Sequence, residues 1–134
     1  MKKLIAVLAC AMCVATESVW AQEVSVSSLP PSVVKTVPES GTTNIDAQAT
    51  TQITVTFSKE MLDGSWSWGQ MSKETFPEMV GQPKYFEDKK TCVIDVKLQP
   101  KTTYVIWLNT EKFTGFKDAN KKSSAPYLLV FQTK

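Results

Sequence analysis

Hydrophobic and polar residues alternate with a period of two in several short segments of this chain, which is typical of strands that bury one face. The clearest case is 52–58, where Ile53, Val55 and Phe57 fall on one side and threonines on the other. Clusters of Pro and Gly separate such segments and mark turns. The alternation predicts strands at 32–37, 52–58, 65–71, 84–86, 91–98, 103–109 and 127–133.

Helical periodicity is weak by comparison. No window shows a convincing period of 3.6 residues over the length of a helix, and we expect one helical turn at most in each of 59–63 and 72–80. About seven short strands separated by turns predict an all-β fold, an antiparallel sandwich of two sheets.

One local pattern makes this prediction more specific. Leu98, Pro100, Thr102 and Tyr104 follow each other at every second position. This is the form of a tyrosine corner, in which a Tyr that opens a late strand hydrogen-bonds the backbone a few residues upstream. We therefore assign structural roles to Leu98, which packs inside, to Pro100, which stiffens the loop, and to Tyr104.

The N-terminal residues 1–21 have the features of a cleaved signal peptide. Lys2 and Lys3 precede an apolar run at 4–15, and Ala21 is a small residue before the predicted cleavage point. A membrane anchor needs roughly 20 apolar residues, and this run is shorter. We predict export to the periplasm or the outside, with no membrane span in the mature form.

The alternative is a lipoprotein in which Cys10 or Cys13 is the acylated residue. The residues before Cys10 partly fit such a signal, but Cys10 comes too soon to leave a full apolar run ahead of it. The domain prediction is then a signal peptide at 1–21, an extended lead-in at 22–31 and one sandwich domain at 32–134.

Cysteine content changes with cleavage, because only Cys92 lies beyond the signal peptide. A single thiol forms no internal disulfide, so packing must stabilise the domain. Cys92 has the same strand phase as Ile94 and Val96. We expect a buried, unreactive thiol.

Composition excludes several classes of function. The chain of 134 residues contains no His and no Arg, which removes histidine-based catalytic pairs and guanidinium clamps. The net charge of +2 becomes +1 when Lys2, Lys3 and Glu17 leave with the signal peptide. A nearly balanced charge does not favour nucleic acid as a partner.

Several stretches resemble the bacterial Ig-like domain of S-layer and other cell-surface proteins. They are PSVVKTVPESGTTNI at 31–45, ITVTFSKEM at 53–61, LQPKTTY at 98–104, KDAN at 117–120 and YLLVFQT at 127–133. The resemblance covers about 31–62 and 91–134, and 63–90 departs from it. Glu60 stands where this family often has Pro, and Asn120-Lys121 replaces a Gly-Asn pair.

The resemblance implies an Ig-like sandwich that acts as a spacer or as an adhesion and binding module. The residues favour no chemistry of their own. Neighbouring carboxylates such as Glu87 and Asp88 lie in turns, and calcium-type Asp-x-Asp-x-Asp spacing is absent from the sequence. We predict no enzyme activity, no catalytic residue, no metal and no cofactor.

Aromatic residues suggest a binding surface. If Tyr104, Ile106 and Leu108 point inward, then Val105 and Trp107 point outward. Likewise, if Tyr127, Leu129 and Phe131 point inward, then Leu128 and Val130 point outward. The last two strands are neighbours in an Ig-type sheet, so these four outward residues should lie together. The candidate binding surface is therefore Trp107, Trp66, Trp68, Val105, Leu128 and Val130. One of Trp66 and Trp68 is alternatively the buried Trp typical of such a strand.

The alternative for this surface is that 72–90 covers it as a second small core, with Phe76, Met79, Val80, Tyr85 and Phe86 as the covering side chains. If the surface is open, we expect a protein or glycan partner at the cell envelope, because aromatic rings suit both. If it is covered, we expect a purely structural spacer or envelope component.

Overall fold

A computed structural model describes residues 23–134, so the predicted signal peptide and its cleavage point lie outside the described residues. The described chain forms seven strands and no helix, and within it no helix is long and apolar enough to cross a membrane. The strands are β1 (Val33–Val37), β2 (Gln52–Phe57), β3 (Trp68–Gln70), β4 (Glu78–Tyr85), β5 (Thr91–Lys97), β6 (Thr103–Leu108) and β7 (Tyr127–Gln132).

These strands form two antiparallel sheets, and the predicted all-β sandwich is confirmed. One sheet has the order β1-β2-β5-β4 and the other the order β3-β6-β7. Alternation places one face of each strand inside: Ile53 and Val55 of β2 are fully buried, as are Ile106 and Leu108 of β6. Apolar burial of this kind is the main stabilising contribution to such a fold.

The predicted helical turns at 59–63 and 72–80 do not form, and β4 is longer than the predicted strand at 84–86. The reason is a bulge in β4. Its pairing with β5 shifts register between Val80 and Lys84, and Gly81 takes a positive φ of 74° there. The shift adds two residues to β4 and keeps its phase, so Met79 and Tyr85 both pack against the core. The positions between them in that phase are Gly81 and Pro83, which are not typical of a strand and hide it from a search for period two.

The segment after β1 changes sheets and runs beside β7. Ile45 and Thr133 form a parallel bridge. Four backbone hydrogen bonds join the two segments: Gly41 N to Val130 O at 2.6 Å, Gln132 N to Thr42 O at 2.9 Å, Ile45 N to Gln132 O at 3.1 Å, and Lys134 N to Ile45 O at 2.9 Å. This pairing covers the outer edge of β7, which would otherwise expose unpaired backbone groups.

The lead-in at 22–31, predicted to be extended, contains a turn at 26–29. Two lysines hold this turn against the sandwich. Lys59 Nζ donates to the carbonyls of Ser27 at 2.9 Å and Leu29 at 3.1 Å, and Lys122 Nζ donates to Ser28 O at 2.6 Å. These bonds fix the turn to the domain, while the apolar side chains Val24, Val26 and Leu29 stay exposed.

Lys59 also forms a buried ion pair with Asp118, with Nζ 2.7 Å from Oδ2. The other carboxylate oxygen, Oδ1, accepts from the backbone N of Asn120 and Lys122, both at 2.9 Å. Burial acts to raise the pKa of Asp118, but Lys59 and these two N–H groups outweigh it and hold the pKa below its ordinary value of 3.8.

A tyrosine corner forms where the chain passes from β5 to β6. Tyr104 is buried, and its Oη accepts a hydrogen bond from Gln99 N at 2.7 Å. Thr133 Oγ1 donates to Gln99 O at 2.6 Å. Leu98 is buried beside the corner and Pro100 is exposed in the loop. The loop between β5 and β6 is thus bonded to the strand after it.

Removing the hydroxyl at the corner should cost stability without changing the fold. Tyr104→Phe leaves Gln99 N without its protein acceptor, and we expect a loss of about 1 kcal/mol in the free energy of unfolding. Urea denaturation measures it. Tyr127→Phe, at a half-buried Tyr of β7, is the matched control, and an equal loss in both variants would contradict a special role for the corner.

The ion pair predicts a pH dependence. Asp118→Asn removes the counter-charge of the half-buried Lys59 ammonium, which keeps its bonds to Ser27 O and Leu29 O, and should cost about 1–3 kcal/mol at neutral pH. Because folding lowers the pKa of Asp118, its stabilisation is complete above 3.8 and is lost as pH falls through the lower folded value. The difference in unfolding free energy between wild type and Asp118→Asn should therefore become smaller as the pH is lowered.

Glu87→Gln, at an exposed carboxylate, is the control and should have nearly the unfolding free energy of wild type at every pH. If the difference between wild type and Asp118→Asn did not change with pH, the lowered pKa of Asp118 would be contradicted.

Candidate functional site

The outer face of β6 and β7 carries four of the residues predicted for the binding surface. Val105 lies opposite Val130 and Trp107 lies opposite Leu128. All four side chains are half-buried, and none belongs to the buried core or packs against it. They form one apolar strip on the side of the sheet that faces away from the core.

The segment 72–90 does not form a second core over this strip. Phe76, Met79 and Tyr85 pack against the main core between the sheets. Val80 and Phe86 are 42% and 46% exposed. The side chains proposed as a cover are therefore either interior to the sandwich or open to solvent.

The two tryptophans near β3 have different surroundings. Trp68 pairs with Leu108, so it lies on the inner face, and its ring meets Phe116 edge-on with centroids 5.6 Å apart. Trp66 precedes β3 and is half-buried. Both pack against the core, and both line a groove that opens on the outer side. Trp68 thus resembles the buried Trp of an Ig-type sheet.

This groove lies at the end of β3 and β6 and has a volume of about 870 Å³. We call it the aromatic groove. It is lined by Trp66, Ser67, Trp68, Gly69, Gln70, Met71, Trp107, Thr110, Lys112 and Phe113. A second depression of about 440 Å³ is lined by Trp107, Thr110, Glu111, Lys112 and Pro126. Trp107, Thr110 and Lys112 line both, so the two open surfaces adjoin at these residues.

Gly69 allows β3 to approach Trp107 closely. The two residues face each other across the strand pair. A Cβ at Gly69 would lie 2.9 Å from Cβ of Trp107, which is closer than ordinary packing permits. The absence of a side chain at Gly69 therefore permits the close pairing of β3 with β6 at Trp107.

The loop that carries Lys112 and Phe113 is held by a fully buried amide. Asn109 Nδ2 donates to Phe116 O at 2.7 Å and to Ser124 O at 3.0 Å, and its Oδ1 accepts from Phe116 N at 2.8 Å. Asn109 has a φ of 63°, which Asn adopts more readily than most residues. The amide therefore satisfies three backbone groups in the interior and determines where the loop returns to the core.

Within the loop, Thr110 and Phe113 close a turn. Thr110 N donates to Phe113 O at 2.8 Å, and Phe113 N donates to Thr110 Oγ1 at 2.9 Å. Phe113 nevertheless leaves 60% of its surface exposed, and Met71 across the groove leaves 56%. Large apolar side chains this exposed are typical of contact surfaces when they lie together.

The sequence prediction did not include Met71 and Phe113. Met71 lies in a bend just after β3, and Phe113 lies in a loop, so alternation says nothing about either. A usable signal was present in TEKFTG at 110–115, where a Phe stands among polar residues with no apolar partner at strand spacing.

The charge at the groove is positive. Among residues 23–134, Lys112 takes part in no ion pair, and no carboxylate lines the aromatic groove. Lys112 Nζ lies 5.8 Å from the ring centroid of Phe113, within the range of a cation–π contact. Glu111 lines the second depression instead.

Cys92 lies away from this region. It is fully buried in β5, and burial, with a smaller contribution from the charge of Asp63, raises the pKa of its thiol to about 12. A thiol in that state is protonated at neutral pH and is a poor nucleophile. In the part of the chain described, no cluster of three Cys, Asp or Glu residues is arranged to hold a metal ion.

The strand order of the two sheets corresponds to the ABED and CFG sheets of a constant-type immunoglobulin domain. With the corner at Tyr104 and the inner Trp68, the molecule is an Ig-like β-sandwich. The chain belongs to the bacterial Ig-like domain family, whose model matches residues 27–133.

Solved structures similar to this chain come from the S-layer protein SbsC. The chain aligns with the N-terminal part of that bacterial protein at 20% identity and a TM-score of 0.54, covering 81% of this chain and 24% of that one. A structure of its domains 1-6 aligns at 20% identity and a TM-score of 0.53, covering 81% and 14%. The chain thus spans a quarter or less of those structures, and the likeness concerns the fold. Among curated proteins, none matches.

Loss of the Asn109 amide should destabilise the end of the sandwich that carries the groove. Asn109→Gly tolerates the positive φ but leaves Phe116 N and two carbonyls unpaired in the interior, which should cost about 2–4 kcal/mol. Thermal or urea unfolding measures the loss. Asn120→Ala, at an exposed Asn of the next turn, should stay within about 0.5 kcal/mol of wild type. A similarly small change at Asn109 would show that the loop is held by other contacts.

Proposed function

We propose that this protein is an exported, non-catalytic Ig-like module that binds a partner at the bacterial cell envelope through the aromatic groove. The proposed organisation is a signal peptide at 1–21, a lead-in at 22–31 and the binding domain at 32–134. Trp107, Trp66 and the outer edge of Trp68 are the proposed contact residues, together with Met71 and Phe113. Val105, Leu128 and Val130 extend the surface along the sheet.

The observation that carries this proposal is the exposure of Phe113 and Met71, which line one groove together with residues that are held in place by the fold. Trp107 stands on a central strand, Trp66 packs on the core, and Asn109 holds the loop. A preorganised aromatic surface loses little entropy when a partner binds. Aromatic side chains and Met are also enriched where proteins contact partners.

Location at the envelope is supported by two lines of argument. The first 21 residues have the charge and apolar pattern of an export signal. The similar solved structures come from a protein described as an S-layer protein. Both arguments are consistent with a place outside the cytoplasm, in the periplasm or at the outside.

A structural spacer is the second candidate. It is favoured by the small share of the S-layer protein that a domain of this size represents, because a chain of such domains holds other parts apart without binding anything. The spacer needs no open groove, and the two candidates differ in what they predict for Trp107.

Binding to cell envelopes tests the proposal. The mature protein should cosediment with envelopes purified from the organism that encodes it, and Trp107→Ala should weaken this binding about tenfold, which is about 1.4 kcal/mol. Phe113→Ala should weaken it roughly threefold or more, because a smaller ring is lost at the rim. Both variants are first checked for wild-type unfolding free energy.

The matched control is Phe86→Ala, since Phe86 is also an exposed aromatic residue but follows β4 in the opposite sheet. It should bind as wild type does. Equal binding by Trp107→Ala, Phe113→Ala and Phe86→Ala would overturn the groove as a binding site. Acrylamide quenching gives an independent check: Trp107→Phe should remove most of the readily quenched emission, and Trp68→Phe should remove little.

A further inference from the structure

We infer that two copies of this protein pair edge to edge along β3, so that their two three-stranded sheets join into one continuous sheet. This contact goes beyond the proposed function, because it joins two copies of the chain and does not depend on what the groove binds. Four features of the β3 edge support it: its lack of protection, the backbone groups it presents, its lack of charge and the exposed side chains beside it.

The other three sheet edges of the described chain are protected against pairing with a further strand. Segment 41–45 covers the edge of β7. A bulge interrupts the edge of β4, which also carries Pro83 and Lys84. The register of β1 shifts as well, and its Lys35 is exposed. Bulges, prolines and lysines at an edge all disfavour pairing.

The edge of β3 has none of these devices. The chain from Trp66 to Met71 contains no charged residue and no proline, and the pairing of β3 with β6 is regular. In the part of the chain described, β3 is the outermost strand of its sheet. Its only protection is its length of three residues. The edge is therefore open to another strand, provided that this strand is already ordered.

The free edge presents the backbone groups of Trp68 and Gln70. Along an antiparallel pair, alternate residues direct both their N–H and their C=O to the neighbouring strand. Ser67 O accepts from Asn109 N at 3.3 Å, so Ser67 faces β6, and so does Gly69 two positions later. Trp68 and Gln70 then face the free edge. If a second β3 runs antiparallel with Gly69 on the two-fold axis, Trp68 of each copy lies opposite Gln70 of the other and exchanges both N–H···O bonds with it.

The short length of the edge favours a second copy over a flexible peptide. A peptide loses conformational freedom at every residue that it adds to the edge, and this loss is at least as large as the net contribution of each hydrogen bond. The β3 strand of a second copy is already ordered by its pairing with β6. A preorganised strand therefore gains more from an edge of three residues than a flexible peptide does.

The composition of the edge suits a two-fold axis. Residues close to such an axis meet their own counterparts, so a charged residue there would meet a like charge. No residue from 64 to 72 is charged. Gln70 lies one position from the axis, and its amide both donates and accepts, so two copies of it are complementary to each other.

Exposed apolar side chains lie beside the edge. Met71 directly follows β3 and is 56% exposed, and Phe113, which lines the same groove, is 60% exposed. Pairing along β3 brings a second set of these side chains alongside the first. Burial of apolar surface between the two sets then stabilises the contact.

Pairing along β3 stops at two copies and doubles the aromatic groove. The outer edges of the joined sheet are β7 of each copy, and segment 41–45 covers both. The two-fold axis is perpendicular to the sheet, so the outer faces of both copies lie on the same side. Trp107 of one copy then lies about 14 Å from Trp107 of the other, across three strand spacings. The dimer presents both grooves on one surface.

Self-association of the mature protein tests this pairing, measured by analytical ultracentrifugation over a range of concentrations without envelopes. We expect a reversible equilibrium between monomer and dimer. Gln70→Pro removes an N–H that faces the free edge, so it should weaken dimerisation by about tenfold or more and leave the unfolding free energy of the monomer close to wild type. Gln70→Ala keeps this N–H and is the matched control, with an expected change of less than about threefold.

A charge near the axis provides a second variant. Gln70→Lys places like charges close to each other and should weaken dimerisation by about two- to fivefold at low salt, with a smaller effect at high salt. Gln82→Lys makes the same change at an exposed Gln of β4 in the other sheet and should dimerise as wild type does. Should Gln70→Pro fail to fold, this pair of variants decides.

Amide hydrogen exchange locates the contact. The N–H groups of Trp68 and Gln70 should exchange rapidly in dilute protein and more slowly as the dimer forms. The N–H of Gly69 faces β6 and should exchange slowly at every concentration.

A protein that stays monomeric at every concentration would overturn the inference, and so would a dimer that Gln70→Pro and Gln70→Lys leave unchanged. Protection of the Trp68 and Gln70 amides only after envelope protein is added would assign the edge to a segment of another protein and would overturn pairing with a second copy. These measurements are independent of the envelope binding of Trp107→Ala and Phe113→Ala, so the proposed function is tested separately.

Discussion

The side chain of Asn109 hydrogen-bonds three backbone groups just after the end of β6, where the chain enters the loop that leads to β7. Without it, Phe116 N and two carbonyls would be buried and unpaired, which costs more than the hydrogen bonds themselves contribute. The same amide brings Phe116 into the interior, where its ring lies 5.0 Å from Phe57 and 5.6 Å from Trp68. One polar group thus joins the loop, the core and the inner tryptophan.

The position of the groove follows from this arrangement. Strand β6 contributes side chains to both faces of its sheet. Ile106 and Leu108 are buried in the core, while Trp107 between them faces outward. Alternation alone forces this division, because neighbouring side chains on a strand point to opposite faces. The loop fixed by Asn109 then returns past Trp107 and places Phe113 beside it. A rigid interior therefore supports an aromatic surface whose parts need little rearrangement to meet a ligand.

Much of the fold could be predicted from alternation, because β2, β5, β6 and β7 each bury one regular face. The corner at Tyr104 was recognisable as well, since its spacing is local. Gly81 and Pro83 concealed most of β4, because they occupy the positions between Met79 and Tyr85 where apolar side chains would have marked the inner face of a strand. Only part of the groove could be predicted from the sequence. The outward position of Trp107 follows from the alternation along β6. Phe113 and Met71 lie in loops, and their positions depend on contacts between residues that are distant in sequence.

The parallel pairing of the segment at 41–45 with β7 has a mechanical consequence. Its four hydrogen bonds lie between the first and the last parts of the fold, and both segments run in the same direction. Tension applied along the chain on either side of the domain pulls these segments past each other, so all four bonds bear the load together. An antiparallel hairpin pulled from its open end would instead release its bonds one after another. We therefore expect the pairing of 41–45 with β7 to resist stretching of the domain more strongly than a hairpin of equal length would.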